Sequence, residues 1–262
     1  MSGAAASIWL VGAGNMGGAM LRRWIASGMD PARVTVIDPV GLRIPEGVRL
    51  VTEAPAGSPD ILILAVKPQK LDELPRMRAG MLISILAGVE EASLAQRFDA
   101  GSIVRAMPNL PVDIAKGVVA LHTESRDTDV RAAAEDLMAP LGLVEWIGDE
   151  ALFHTVTALS GSGPGFVYRF IEAMAGAGTA LGLPPDQAQR FAIATVEGAA
   201  ALAQAADASP AVLADRVASP AGTTRAGLDV LDHDNALKRL IHDTLGAAAR
   251  RSAEMAEAAR KA

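Results

Sequence analysis

One short segment restricts this chain more than any other: Ser7-Ile-Trp-Leu-Val11 runs directly into Gly12-Ala13-Gly14-Asn15-Met16-Gly17, and a helical pattern follows to Ser27. An apolar run, a glycine turn and an amphipathic stretch read as strand, turn and helix. In that setting Gly12 permits the tight turn, Gly14 lets backbone approach a pyrophosphate, and Gly17 lets the helix lie close to the strand. The helix N-terminus adds amide donors and a partial positive charge. A dinucleotide is the default ligand, and a glycine turn that only joins two elements is the plainer alternative.

The rest of the first half keeps the same alternation. Strands are expected at Val34 to Ile37, Ile61 to Ala65, Leu82 to Leu86, Ser102 to Arg105, Gly117 to Leu121 and Leu143 to Ile147. Residues 42–59, rich in Pro and Gly, read as loop with room for one short strand. Such alternation predicts a mainly parallel sheet covered on both faces. Beyond about residue 150 the β-branched runs stop, and Ala, Leu and Gln recur at helical spacing through Phe166 to Leu181, Asp186 to Ala206 and Asn235 to Arg260. Gly182 can end one helix, and Pro184, Pro185 and Asp186 can start the next. Apolar helices with no sheet to cover them need another surface, so a second subunit is expected there.

Composition narrows the function. The 262 residues carry 50% hydrophobic and 21% charged side chains, which suits a globular chain of one or two domains. With no cysteine, a disulfide framework, a thiolate metal site and a cysteine nucleophile are excluded. A net charge of -6 with 3% aromatic residues argues against nucleic acid, and a small molecule is the expected partner. The amino terminus lacks the pattern of a secretory signal, and the apolar runs Ile61 to Val66 and Met81 to Ala87 fall far below the roughly 20 residues a bilayer crossing needs. A cytoplasmic location without membrane contact is expected. His122, His154, His233 and His242 show no metal-ligand spacing, so no metal is expected.

Candidate side chains cluster at strand ends, where doubly wound sheets bind ligands. Asp38 follows the second strand, where a carboxylate accepts hydrogen bonds from the ribose of NAD and repels a 2′-phosphate. The alternative is a plain Asp-Pro turn, with Arg43 near enough to take that phosphate. Ala65-Val66-Lys67-Pro68-Gln69 closes the third main strand, and Lys67 is either a phosphate partner or a solvated lysine. Asn109, stiffened by Pro108 and Pro111, either orients the nicotinamide region or only forms a turn. In the second half Ser219-Pro-Ala-Gly222-Thr223-Thr224 gathers amides and hydroxyls at a helix start, suited to a small carboxylate. Helix capping by Ser219 or Thr223 is the alternative. Asp232 and Asp234 read as caps of the final helix.

Taken together, Gly12-Ala-Gly-Asn-Met-Gly-Gly-Ala19, Ala65-Val-Lys-Pro-Gln69, Arg105-Ala-Met-Pro-Asn109, Ala158-Leu-Ser-Gly-Ser-Gly-Pro164 and Val217-Ala-Ser-Pro-Ala-Gly-Thr-Thr224 resemble the pyrroline-5-carboxylate reductase family. The resemblance implies an α/β Rossmann-type doubly wound sheet followed by an all-α helical dimerisation domain, divided at residues 1–155 and 156–262. It also implies NADPH- or NADH-dependent reduction of 1-pyrroline-5-carboxylate to L-proline, in a homodimer often stacked into a decamer. Carried residue by residue, Gly12, Ala13, Gly14, Asn15, Met16, Gly17, Asp38, Ala65, Val66, Lys67, Pro68 and Asn109 would serve the cofactor. Ser219, Gly222, Thr223, Thr224 and Glu150 would serve the substrate, with Thr224 the catalytic residue. The chain departs from the family at Ala221, where Gly is frequent, at Leu110, where Thr is frequent, and at Asp38, where many members have a neutral or basic residue. A hydroxyacid dehydrogenase of the same plan needs a helix-borne lysine, and none lies between Lys116 and Lys238. A cofactor-binding sensor without turnover is the alternative from another class.

Overall fold

A computed structural model describes residues 6–40 and 44–261. Arg43, weighed above as a phosphate partner, lies outside the described residues, as does Leu42 at the head of the Pro- and Gly-rich segment. The chain forms two compact units, one comprising residues up to Ser162 together with the stretch from Gly246 onward, the other Gly163–Leu245.

The first unit is built on an eight-stranded sheet: β1 (Ile8–Val11), β2 (Val34–Ile37), β3 (Arg49–Val51), β4 (Ile61–Leu64), β5 (Arg78–Ser84), β6 (Asp99–Pro108), β7 (Gly117–His122) and β8 (Gly142–Trp146). Its order is β3-β2-β1-β4-β5-β6-β7-β8. The chain winds from β1 outward to β3, then returns to the other side of β1 with β4, which puts a topological switch point between β1 and β4. The expected strands all form, and the room left for one short strand is taken by β3. β5 and β6 start earlier than expected because their first residues, Arg78 and Asp99, still find partners in each other.

Pairing is parallel from β3 through β6, then antiparallel between β6 and β7 and parallel again between β7 and β8. The reversal follows from connection length. Residues 109–116 are too few for the crossover that a parallel return requires, whereas β7 reaches β8 through helix α3 (Thr128–Met138).

Alternate strand residues supply two cores. Ile8, Leu10, Val34, Val36, Ile61 and Ile63 face α1 (Asn15–Ala26) and its neighbours. Trp9, Val11, Leu62, Leu64 and Leu82 face the other side, with Leu94 of α2 (Glu91–Arg97). Both faces are therefore buried, as a parallel sheet demands. Trp24 of α1, fully buried, donates its indole N–H to the Leu137 carbonyl at 2.7 Å and so ties α1 to α3.

After β8 come α4 (Phe153–Val156) and a π turn at Thr157–Gly161. The second unit holds α5 (Gly163–Ala180), α6 (Pro185–Ala205), α7 (Pro210–Arg216) and α8 (Thr223–Asp232), and α9 (Ala236–Lys261) begins in it. Gly182 ends the α5 turn at φ +109, and Pro185 opens α6, both as their chemistry requires. Asp232 and Asp234 do not cap α9: Asp232 accepts from Arg225 instead, and Asp234 sits at φ 49 inside a 3-10 turn. None of the described helices is long and apolar enough to cross a membrane.

Candidate active site

The glycine turn lies at the switch point, and each glycine has its own reason. Gly12 holds φ +90, and a Cβ there would stand 2.9 Å from the Ala65 carbonyl oxygen, so β1 and β4 can converge only on a glycine. A Cβ on Gly17 would stand 2.2 Å from the Gly12 carbonyl oxygen. At Gly14 there is open space, so what that glycine leaves room for is outside the protein. Gly14 is also the N-cap of α1 and offers no side-chain cap, leaving the first amides of the helix free for an anion. These residues fit a dinucleotide pyrophosphate. A cavity of about 550 Å³ opens beside them, lined by Ala13, Gly14, Asn15, Ala19, Arg22, Leu110 and Asp113. Met16, half-buried, packs instead against the α1-side core.

Asp38 is buried at the end of β2 and its carboxylate is already engaged. One oxygen accepts the Ala13 N–H at 2.9 Å, the other the Val40 N–H at 2.9 Å. Asp38 therefore holds the glycine turn in place as well as forming its own turn. Ala65 packs toward the same core as Met16, Val66 toward the opposite one, and Pro68 opens a 3-10 turn. The Lys67 side chain is exposed at that edge and makes no ion pair among the described residues.

Asn109 is buried at the end of β6. Its Oδ1 accepts the Val118 N–H at 2.8 Å, and its Nδ2 donates to the Ser160 carbonyl at 3.0 Å. The carboxamide thus joins the start of β7 to the π turn, where Ser162 N–H closes on the Thr157 carbonyl at 2.8 Å. π turns inside helices recur at functional sites.

Glu150 is tied to a buried charge that the sequence reading passed over. Its Oε1 accepts from Arg105 Nη1 at 2.9 Å and from the Glu91 N–H at 2.8 Å. Arg105 is 4% exposed, and its guanidinium lies 4.4 Å from the centre of the Phe153 ring. An arginine inside the apolar run Ile103-Val-Arg-Ala-Met107 was the available signal, since a buried cation demands a partner. Beside it, burial pushes the Glu91 carboxyl up, although the Glu124 N–H it accepts opposes this. His122 is buried too, with Nδ1 2.9 Å from the Ile147 carbonyl. Its Nε2 lies 3.3 Å from Glu124 Oε1 without hydrogen-bond alignment, so proximity rather than a formed bond describes that contact.

In the second unit, Pro220 and a positive φ of 57 at Ala221 build a turn of type II pattern, closed by Gly222 N–H on the Ser219 carbonyl at 2.9 Å. A Cβ on Gly222 would stand 2.3 Å from Ser219 Oγ. Gly222 is the N-cap of α8 and no side chain caps the helix, so neither Ser219 nor Thr223 plays that part. Because the Gly222 amide is used inside the turn, the open donors are the amides of Thr223, Thr224 and Arg225. The Arg225 side chain is occupied by Asp229 at 2.8 Å, Asp232 at 3.2 Å and Asp215 at 3.5 Å. Its hydrogen bond to Asp229 holds the guanidinium above its usual range.

A doubly wound sheet with a glycine turn at its switch point, joined to a helical unit with an uncapped helix start, defines a two-unit dinucleotide-dependent oxidoreductase. Residues 7–88 match the family model described as NADP oxidoreductase coenzyme F420-dependent, and residues 150–255 match the one described as pyrroline-5-carboxylate reductase dimerisation. The chain is 35% identical to the pyrroline-5-carboxylate reductase of Pseudomonas aeruginosa over 95% of its own length and 97% of that protein, and 36% identical to the Synechocystis one over 94% and 97%. The solved structure of a pyrroline-5-carboxylate reductase from Coxiella burnetii superposes with a TM-score of 0.84 at 30% identity, covering 96% of this chain and 98% of that one. The chain belongs to the pyrroline-5-carboxylate reductase family.

Proposed function

We propose that the chain reduces 1-pyrroline-5-carboxylate to L-proline, the final step of proline synthesis. The observation that carries this reading is sequence identity above 30% running through both units to proteins of that name. NADPH or NADH, when bound, supplies the hydride that carbon 5 of the cyclic imine accepts.

The chain's own residues bind and orient. Gly12, Ala13, Gly14, Asn15, Met16 and Gly17 cradle the cofactor, Ala65, Val66, Lys67 and Pro68 border it, and Asp38 faces its adenosine ribose. Asn109 acts by holding the π turn. The free amides at the start of α8 take the substrate carboxylate, on a turn that Ser219 and Gly222 shape. Thr224 presents its hydroxyl to the ring nitrogen and assists its protonation; a protonated imine is electrophilic enough to accept hydride without a nucleophile or metal. Glu150 serves the substrate side through the Arg105 pair rather than as a free carboxylate.

The functional division runs between residues 1–155 and 156–262. The protein works in the cytoplasm as a homodimer, with stacking into a decamer open to it. The test is oxidation of NADPH or NADH on adding pyrroline-5-carboxylate to folded protein. Oxidation of neither overturns the reading, and a Thr224→Val enzyme with unchanged turnover and affinity removes the role given to that hydroxyl.

A further inference from the structure

The cavity beside the glycine turn contains one cation that no sequence motif marks. Arg22 stands on the same face of α1 as Asn15 and Ala19, and all three line the cavity. Its side chain leans back toward the helix N-terminus, as helical side chains do, so that Nη1 comes within 3.3 Å of where a Cβ on Gly18 would be. Glycine at that position makes the reach possible. The guanidinium is held there by Asp113, with Nε and Nη2 each 3.1 Å from Asp113 Oδ1, and Asp113 lines the same cavity. Side chains of both partners are about half exposed, at 54% and 46%.

We propose that Arg22 is a phosphate-facing cation of the dinucleotide site and that Asp113 attenuates it. This rests on the dinucleotide reading given above. A cation one turn from an uncapped helix N-terminus strengthens the attraction for a pyrophosphate, and a carboxylate paired to that cation cancels much of it. Solvent-exposed pairs exchange partners at little cost, so a phosphate oxygen can compete with Asp113 for the guanidinium. Asp113 sits in the 3-10 turn Leu110–Ile114, directly after Asn109, so the same contact links cofactor charge to the loop that Asn109 anchors.

The two halves of the pair predict opposite signs, which a merely structural ion pair cannot produce. The experiment measures the dissociation constants of NADPH and NADH by fluorescence or calorimetry, without substrate, at low and high salt. R22Q weakens binding about three- to tenfold at low salt, the difference shrinks at high salt, and R22K restores most of it. D113N, which frees the cation, tightens binding by a similar factor. R22Q/D113N behaves as R22Q alone, because Asp113 acts only through Arg22. Shifts of the same sign in both single variants, or no shift in either, overturn the assignment while leaving the dinucleotide site standing. If wild-type protein binds neither nucleotide, the dinucleotide reading itself falls and this inference with it.

Discussion

The two units of this chain bury their apolar residues in opposite ways. In the sheet unit, Ile8, Leu10, Leu62, Ile63 and Leu82 are wholly inaccessible, and both sheet faces are covered by the chain's own elements. In the helical unit, α5 has no buried residue at all, and α6 buries only Ala188 and Ala192. Tyr168, Phe170, Leu181, Phe191 and Leu202 stay between 49% and 89% exposed. The first unit is a finished core. The second is half of one, because isolated helices contribute a stripe each and need an opposing surface to cover it. The difference is what a shared helical interface would look like from one subunit.

The comparison can be broken at its strongest point by truncating the sheet core. Leu62→Ala should lower unfolding free energy by about 2–5 kcal/mol, read by denaturant titration at any protein concentration. Next, Phe191→Glu should leave the sheet unit folded and raise the dimer dissociation constant by about a hundredfold or more, seen by sedimentation as dissociation on dilution. If Phe191→Glu left assembly unchanged, the exposed stripe of α6 would not be the subunit interface. Gly222→Ala sharpens the contrast inside the helical unit: its methyl group collides with Ser219, so the substrate KM should rise about tenfold while NADPH affinity in the sheet unit holds.

A smaller effect concerns pH. Burial raises the Glu91 carboxyl in the folded chain, so the folded state binds that proton more readily than the unfolded one. Stability from this group is present below the ordinary glutamate range and is lost as pH rises through the raised value. Glu91→Gln should flatten that segment of the stability profile. The smallest effect is Ala221→Gly. It removes the left-handed strain of a Cβ at φ 57, offset by the freedom glycine gains when unfolded, for a net gain of a few tenths to about 1 kcal/mol.

Much of the site was readable from residues because its local demands are strong. Glycines at positions 12 and 17 have no substitute where β1, β4 and α1 converge, and the Pro-Ala-Gly-Thr-Thr run announces a turn into a helix. What escaped were interactions between distant segments. Arg105 and Glu150 lie 45 positions apart, Arg22 and Asp113 lie 91 apart, and neither pair carries a local pattern. Asn109 shows the same limit. Its place at a strand end was legible, but the capture of both ends of its carboxamide by Val118 and Ser160 was not.

The sequence by itself determined the alternation of strands and helices, the glycine turn that only one backbone path tolerates, and the change near residue 150 from sheet-forming to helix-forming composition. Those are consequences of periodicity and φ/ψ sterics, which act over a few residues. Tertiary structure alone decided that residues from Gly246 onward return to the sheet unit, and which carboxylates meet Arg105 and Arg22. Such choices depend on burial and on charges brought together from far along the chain, and nothing local encodes them.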